Sequence, residues 1–259
     1  MKFLQRELPG PDVLAKYDYN NHTWDDVSSH DKKEIWRHLV QMQGKVCAYC
    51  ERKIDLYKEG DKHIEHFKRK GIHRELTFSW PNLFGSCGEQ KRCGFYKDKQ
   101  KYNEAELLKV DEIDPEDFFV FIYNGDVIVK EGISGRNQIM AEVTLRVFNL
   151  NPQVGGVKAE RRNVIEKDID TIKGYVKIAK ELIESGEDVE EVRQCVREEY
   201  YNHISQMEFR TARKHVFTHF FLEIKGGKPL LNLYYIFIKL NDLRFKPIIQ
   251  IKYFFLQGF

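Results

Sequence analysis

Four cysteines constrain this chain more than any other feature of its 259 residues. They form two close pairs, Cys47-x2-Cys50 and Cys87-x5-Cys93, in one basic segment. Met1 is followed by a polar, broken stretch rather than an apolar run, so no export signal is expected. Thiols in such a chain stay reduced, and paired cysteines then favour metal over disulfides. Four thiolates from two knuckles close a tetrahedral zinc site with no position left for a substrate water. The expectation is therefore a structural Zn2+ held by Cys47, Cys50, Cys87 and Cys93. The fifth cysteine, Cys195, lies in a helical pattern and is expected to be an ordinary buried or half-buried thiol.

The chain between the knuckles carries chemistry. Lys62-His63-Ile64-Glu65-His66-Phe67 alternates like a short strand, which puts Ile64 and His66 on one face and Glu65 on the other. A basic loop, Lys68-Arg69-Lys70-Gly71, precedes Trp80-Pro81-Asn82-Leu83-Phe84-Gly85-Ser86-Cys87, and Gly94 to Asp98 then opens a helix. An acid–histidine pair on a strand, an Asn on a returning strand and a following helix make up a ββα-metal arrangement. There a divalent ion, Mg2+ or Mn2+, sits beside a scissile phosphate while a neutral imidazole takes a proton from the attacking water. In this reading His66 is the base, Glu65 holds the ion and the Asn82 amide orients the ring. Each residue also has a plainer explanation: Glu-His dipeptides are common, and Asn82 after Pro81 suits a turn. The order of the residues and their enclosure by two knuckles favour the chemical reading.

Charge points the same way. Residues 45–101 hold 14 Lys/Arg against 8 Asp/Glu, a net of +6, which leaves −4 for the rest of a chain whose total is +2. A basic half invites a polyanion. Lys68, Arg69, Lys70, Arg92 and Lys97 are the expected nucleic-acid contacts. No run long and apolar enough for a membrane is seen, and a cytoplasmic location is expected.

The string Gln43-Gly44-Lys45-Val46-Cys47-Ala48-Tyr49-Cys50-Glu51 resembles the opening of the PtuB-type HNH endonucleases of Septu and retron anti-phage defence systems. So do Ile64-Glu65-His66-Phe67, Trp80-Pro81-Asn82-Leu83-Phe84 with Ser86-Cys87, and Cys93-Gly94 with Lys97-Asp98. The similarity extends to Phe3-Leu4, Pro11, Leu14, Trp24, Phe148-Asn149-Leu150-Asn151 and Arg161 or Arg162, covering roughly residues 3–220. It implies an effector nuclease working beside a PtuA-like ATPase, with His66, Glu65 and Asn82 in the roles given above. Many HNH enzymes carry Asn or His directly after the last knuckle cysteine as a second metal ligand. Here that residue is Gly94, and Asp98, one helical turn on, is the nearest replacement.

The expected fold is α+β: a ββα-metal (HNH) nuclease core with a structural four-cysteine zinc knuckle, followed by a mostly helical C-terminal region. A helix is expected over 29–42, capped by Ser28 or Ser29, with Ile35, Trp36, Leu39 and Val40 on its buried face. A hairpin turns at Asn124-Gly125, and helices follow at about 136–148, 157–184 and 188–204 with a fourth from near Glu208. Domains are expected at 1–110 and 111–224, with 225–259 an aromatic tail. The chain has no G-x-x-x-x-G-K-[ST] phosphate loop, so any ATP sensing falls to a partner. The stripe Phe209, Ala212, Val216, Phe217, Phe220, Phe221 is a candidate docking face for that partner, with packing against neighbouring helices as the alternative. A non-catalytic zinc-knuckle module for nucleic-acid binding or assembly is the rival function, but it has no need of an acid–histidine pair.

Overall fold

The structure, a computed structural model, describes residues 1–153 and 156–222, of which 221 and 222 by backbone alone. The aromatic segment 225–259 therefore lies outside the described residues. Helix α1 (Ser29–Gln43) starts where Ser28 accepts a hydrogen bond from the Asp31 amide, and it buries Ile35, Trp36 and Leu39. Its last residue, Gln43, is fully buried yet satisfied. Its amide nitrogen donates to the Gly85 carbonyl at 2.8 Å, and its oxygen accepts from the Gly85 amide at 2.9 Å.

Strands β1 (Lys62–His66) and β2 (Leu83–Cys87) pair antiparallel, with Lys62 opposite Cys87 and His66 opposite Leu83. The short helix α2 (Cys93–Lys97) follows and packs against both strands. Asn82, expected on the returning strand, ends a 3-10 turn (Trp80–Asn82) immediately before β2. A second hairpin, β3 (Phe119–Phe121) with β4 (Val127–Val129), turns where Gly125 takes φ +85°, a conformation open to glycine at no steric cost. Helices α3 (Gly135–Val147), α4 (Gly156–Glu184), α5 (Val189–His203) and α6 (Arg210–Leu222) complete the order. Among the described residues no helix is long and apolar enough to cross a membrane.

Met1–Phe217 form one unit, so the boundary expected near residue 110 falls inside a continuous core. The reason is visible in the bonds that cross it. The Leu108 amide donates to the Thr144 hydroxyl at 3.0 Å, the Phe209 amide to the Glu51 carbonyl at 2.9 Å, and the Thr211 amide to the Glu51 carboxylate at 2.9 Å. The knuckle residue Glu51 thus fixes the start of α6. Four residues of the stripe on α6 are inside: Phe209, Ala212, Val216 and Phe217 are buried, Phe217 stacks on Tyr200 with centroids 4.0 Å apart, and Phe220 is half-buried. Packing against neighbouring helices therefore takes the place of the docking role expected of Phe217. The side chain of Phe221 is outside the described residues. Cys195, expected to be at least half buried, is exposed on α5.

Between the neighbouring arginines quoted above, burial separates the roles. Arg161 is fully buried, donates to the carbonyls of Gly125 and Leu150, and lies over the Phe121 ring at 5.1 Å. Arg162 is half exposed and pairs with Glu166 one turn along α4. Arg161→Ala should cost about 3 kcal/mol, because two buried carbonyls lose their donor and a large side chain leaves a cavity. Arg162→Ala should cost about 0.5 kcal/mol or less. Urea midpoints of the two variants check this.

Candidate active site and metal centre

The first knuckle is a tight turn. The Cys47 amide donates to the Arg52 carbonyl at 2.9 Å, the Glu51 amide to the Cys47 carbonyl at 3.0 Å, and Val46 bridges Lys53. The second knuckle is the end of β2 and the start of α2, where the Cys93 amide donates to the Phe148 carbonyl at 2.9 Å. Together they place four buried sulfurs within 4.8 Å of one another. Cys50 Sγ and Cys87 Sγ are 3.9 Å apart. A tetrahedral zinc with Zn–S bonds of about 2.3 Å needs sulfurs about 3.8 Å apart, so the donor set fits that ion. Burial pushes the Cys50 and Cys93 thiols well above their ordinary range, while at Cys47 burial is outweighed by hydrogen bonds from the neighbouring cysteines, which hold it well below its own; a bound cation would let all four ionise. Among the described residues this is the one group of three or more metal-binding side chains so placed.

Arg92, expected to face nucleic acid, is only 4% exposed. Its guanidinium grips the Glu160 carboxylate through two nitrogens, at 2.9 and 3.0 Å, which ties α4 to the knuckle. Burial opposes its charge, but the neighbouring Cys50 thiolate and Glu160 outweigh it and raise its pKa.

On β1, His66 is buried, with the Trp24 ring edge-on at 4.5 Å. Its Nε2 lies 3.0 Å from the Thr77 carbonyl oxygen. A carbonyl only accepts, so Nε2 carries the proton and Nδ1 is left with its lone pair. Burial lowers the imidazole pKa to about 4, so the ring is neutral at physiological pH.

The orienting group is thus the Thr77 carbonyl and not the Asn82 amide. Asn82 works one step away. Its oxygen accepts from the Lys68 amide at 2.7 Å, and its nitrogen donates to the carbonyls of Lys68 at 3.0 Å and Leu76 at 3.1 Å. These three bonds pin both ends of the 68–76 loop, which delivers Thr77 to the ring.

Glu65 is 1% exposed and faces two basic groups. His63 Nε2 is 2.9 Å from its Oε2 and Lys97 Nζ is 2.8 Å from its Oε1. Burial opposes ionisation of this carboxyl, yet His63 and Lys97 prevail and hold its pKa below the usual value. Lys97 is fully buried and also donates to the carbonyls of His66 and Phe67 and to Asp98 at 2.9 Å. It is therefore an internal strut, out of reach of a phosphate backbone. Asp98 is half exposed and rests on the same ammonium, so the expected sharing of one divalent ion by Glu65 and Asp98 is here a sharing of Lys97. Of the remaining basic candidates, Lys68 and Lys70 are exposed. Arg69 is half buried over the Tyr102 ring at 4.7 Å and donates to the Gln100 carbonyl. The sequence pattern did not single out Thr77, whose part is played by its backbone, or His63. The signal for His63 was present in the alternation of Lys62–His66, which puts it on the face of Glu65.

The chain is similar in sequence to proteins named as HNH endonucleases of retrons. One relative, from retron Ec83 of Escherichia coli and assigned to that class by name, is 29% identical over an alignment of 132 positions covering 39% of this chain and 50% of the relative. Another, from retron Vc95 of Vibrio cholerae serotype O1 biovar El Tor and named likewise, is 28% identical over 164 positions covering 58% of this chain and 75% of the relative. The chain thus matches half the length of the first and three quarters of the second. No family model matches it.

Proposed function

We propose that this chain is an HNH endonuclease of the PtuB type that hydrolyses phosphodiester bonds, with β1, β2 and α2 as a ββα-metal core and His66 as general base. The observation that carries the reading is the buried, neutral imidazole of His66 next in sequence to the buried carboxylate of Glu65, on a hairpin closed by four cysteines. The retron relatives support it by their names. His66 Nδ1 takes the proton of a water whose oxygen bonds to phosphorus while a P–O ester bond breaks. Thr77 fixes the tautomer, and Asn82 fixes Thr77. A divalent ion, Mg2+ or Mn2+, held by Glu65 would stabilise charge on the phosphate oxygens. Incubating the zinc-loaded chain with plasmid, single-stranded DNA and RNA tests the reading.

The engagement of Glu65 by Lys97 favours the rival, a nucleic-acid-binding or assembly subunit, and that rival requires binding with no cleavage of any substrate. We further propose a role in anti-phage defence beside a PtuA-like ATPase, motivated by the resemblance of the chain and its lack of a phosphate loop; co-purification with a co-expressed ATPase tests this.

Phosphate binding falls to the exposed pair in the β1–β2 loop. Lys68→Ala with Lys70→Ala should weaken binding and flatten the salt slope by about 0.9 for each phosphate that is no longer neutralised. Lys97→Ala should cost roughly 3 kcal/mol of stability, because it strands the fully buried Glu65 carboxylate, whereas Arg92→Ala should cost less, about 1 kcal/mol, because Glu160 is 40% exposed and regains water. Fluorescence anisotropy at several salt concentrations and thermal melts separate the two effects.

A further inference from the structure

We propose that His63, and not Asp98, is the second protein ligand of the divalent ion, in a site made with Glu65; this rests on the nuclease reading above. Three observations carry it. The residue after the last knuckle cysteine, Gly94, has no side chain, and a Cβ placed there would lie 2.1 Å from Glu65 Oε2 and 2.7 Å from His63 Cε1. The space that a ligand on α2 would need is thus filled from the strand by His63 and Glu65. The two donors, His63 Nε2 and Glu65 Oε2, are 2.9 Å apart. Adjacent ligands of a six-coordinate ion with bonds of about 2.1 Å are separated by about 3.0 Å.

The last observation is what the His63 ring lacks. It stacks on Phe95 at 3.9 Å, but its Nδ1 is buried without a hydrogen-bond partner among the described residues. Most buried side-chain nitrogens have a hydrogen-bond partner, so this ring is not held by hydrogen bonds on both sides. It spends its single polar bond on a carboxylate. A carboxylate and an imidazole, with the substrate phosphate and waters completing the shell, suit Mg2+ or Mn2+. Asp98 lacks this placement: both it and Glu65 rest on the Lys97 ammonium, but only Glu65 turns its second oxygen to the His63 ring.

The test uses the full zinc-loaded chain titrated with Mn2+, read by electron paramagnetic resonance for affinity and by electron spin echo modulation for a coupled nitrogen. Wild type should bind Mn2+ with nitrogen modulation that persists in His66→Ala. His63→Gln should weaken binding about tenfold or more and abolish the modulation, with zinc content unchanged. His63→Ala gives the same reading if the Gln variant fails to fold. Asp98→Asn should bind within about twofold of wild type. Modulation that survives in H63Q, or Mn2+ bound without it in wild type, overturns the role of His63 while leaving the nuclease reading intact. Cleavage that needs no divalent ion overturns the ion itself and with it this inference.

Discussion

Replacing any one of Cys47, Cys50, Cys87 or Cys93 by serine should strip the zinc that we propose for their cluster and unfold Met1–Phe217. A structural zinc site contributes on the order of 10 kcal/mol or more in small peptides, comparable to the entire net stability of an ordinary domain. The effect should be global here because many elements are tied to the knuckles. Gln43 at the end of α1 and the first knuckle both bond Gly85 on β2. Cys93 bonds the end of α3 through Phe148, on which Tyr49 of the first knuckle stacks at 4.0 Å. Arg92 clamps α4 and Glu51 clamps α6. Removing one thiolate leaves three crowded thiols and an open ligand position at the junction of all of these. Cys195→Ser, on the exposed surface of α5, is the matched control and should be silent. Zinc content by mass spectrometry and far-ultraviolet dichroism check the pair. A folded, zinc-free C50S protein would show that the cluster is only a packed thiol core.

His66→Ala should lower the cleavage rate by about a thousandfold, within the range that a general base contributes, while zinc content and nucleic-acid affinity stay near wild type. The ring contributes one hydrogen bond to Thr77 and an edge contact to Trp24, so its loss leaves a small cavity and a modest loss of stability. Asn82→Ala should behave differently. It removes three hydrogen bonds from the β1–β2 loop, so stability should fall by about 2 kcal/mol and the rate by a smaller factor, roughly ten, as Thr77 loses its fixed place. Single-turnover cleavage and urea titration on both variants separate a base from a positioning residue. If H66A cut at the wild-type rate, another group would have to take the proton.

What could be read from the sequence is what local physics determines. Period and capping gave α1 with Ser28 as one of its two candidate caps, the Asn124-Gly125 hairpin and the helices to within about two residues, because those signals lie within a few positions of one another. The cysteine pairs announced their cluster for the same reason. Long-range matters were hidden. Nothing local in Lys97 or Arg92 says that these cations point inward, since burial depends on carboxylates that pair with them from elsewhere: Glu65 on β1 and Glu160 on α4. The Thr77 carbonyl carries no side-chain signature at all. The α6 stripe was visible as apolar, but periodicity cannot say whether such a face meets the chain itself or another molecule, and Tyr200 meets Phe217. Gly94 reads locally as a missing side chain. Its meaning depends on the strand opposite, where His63 and Glu65 occupy the room it leaves.

The most direct measurement is cleavage of end-labelled duplex DNA, single-stranded DNA and RNA by the zinc-loaded protein in Mn2+, alone and with a co-expressed ATPase, beside His66→Ala. The account predicts hydrolysed phosphodiester products from at least one substrate with wild type, their loss on chelation of Mn2+ with zinc retained, and none above background with H66A. Binding of all three substrates without any cleavage, in both the isolated and the co-expressed protein, would contradict it and leave a zinc-knuckled binding module.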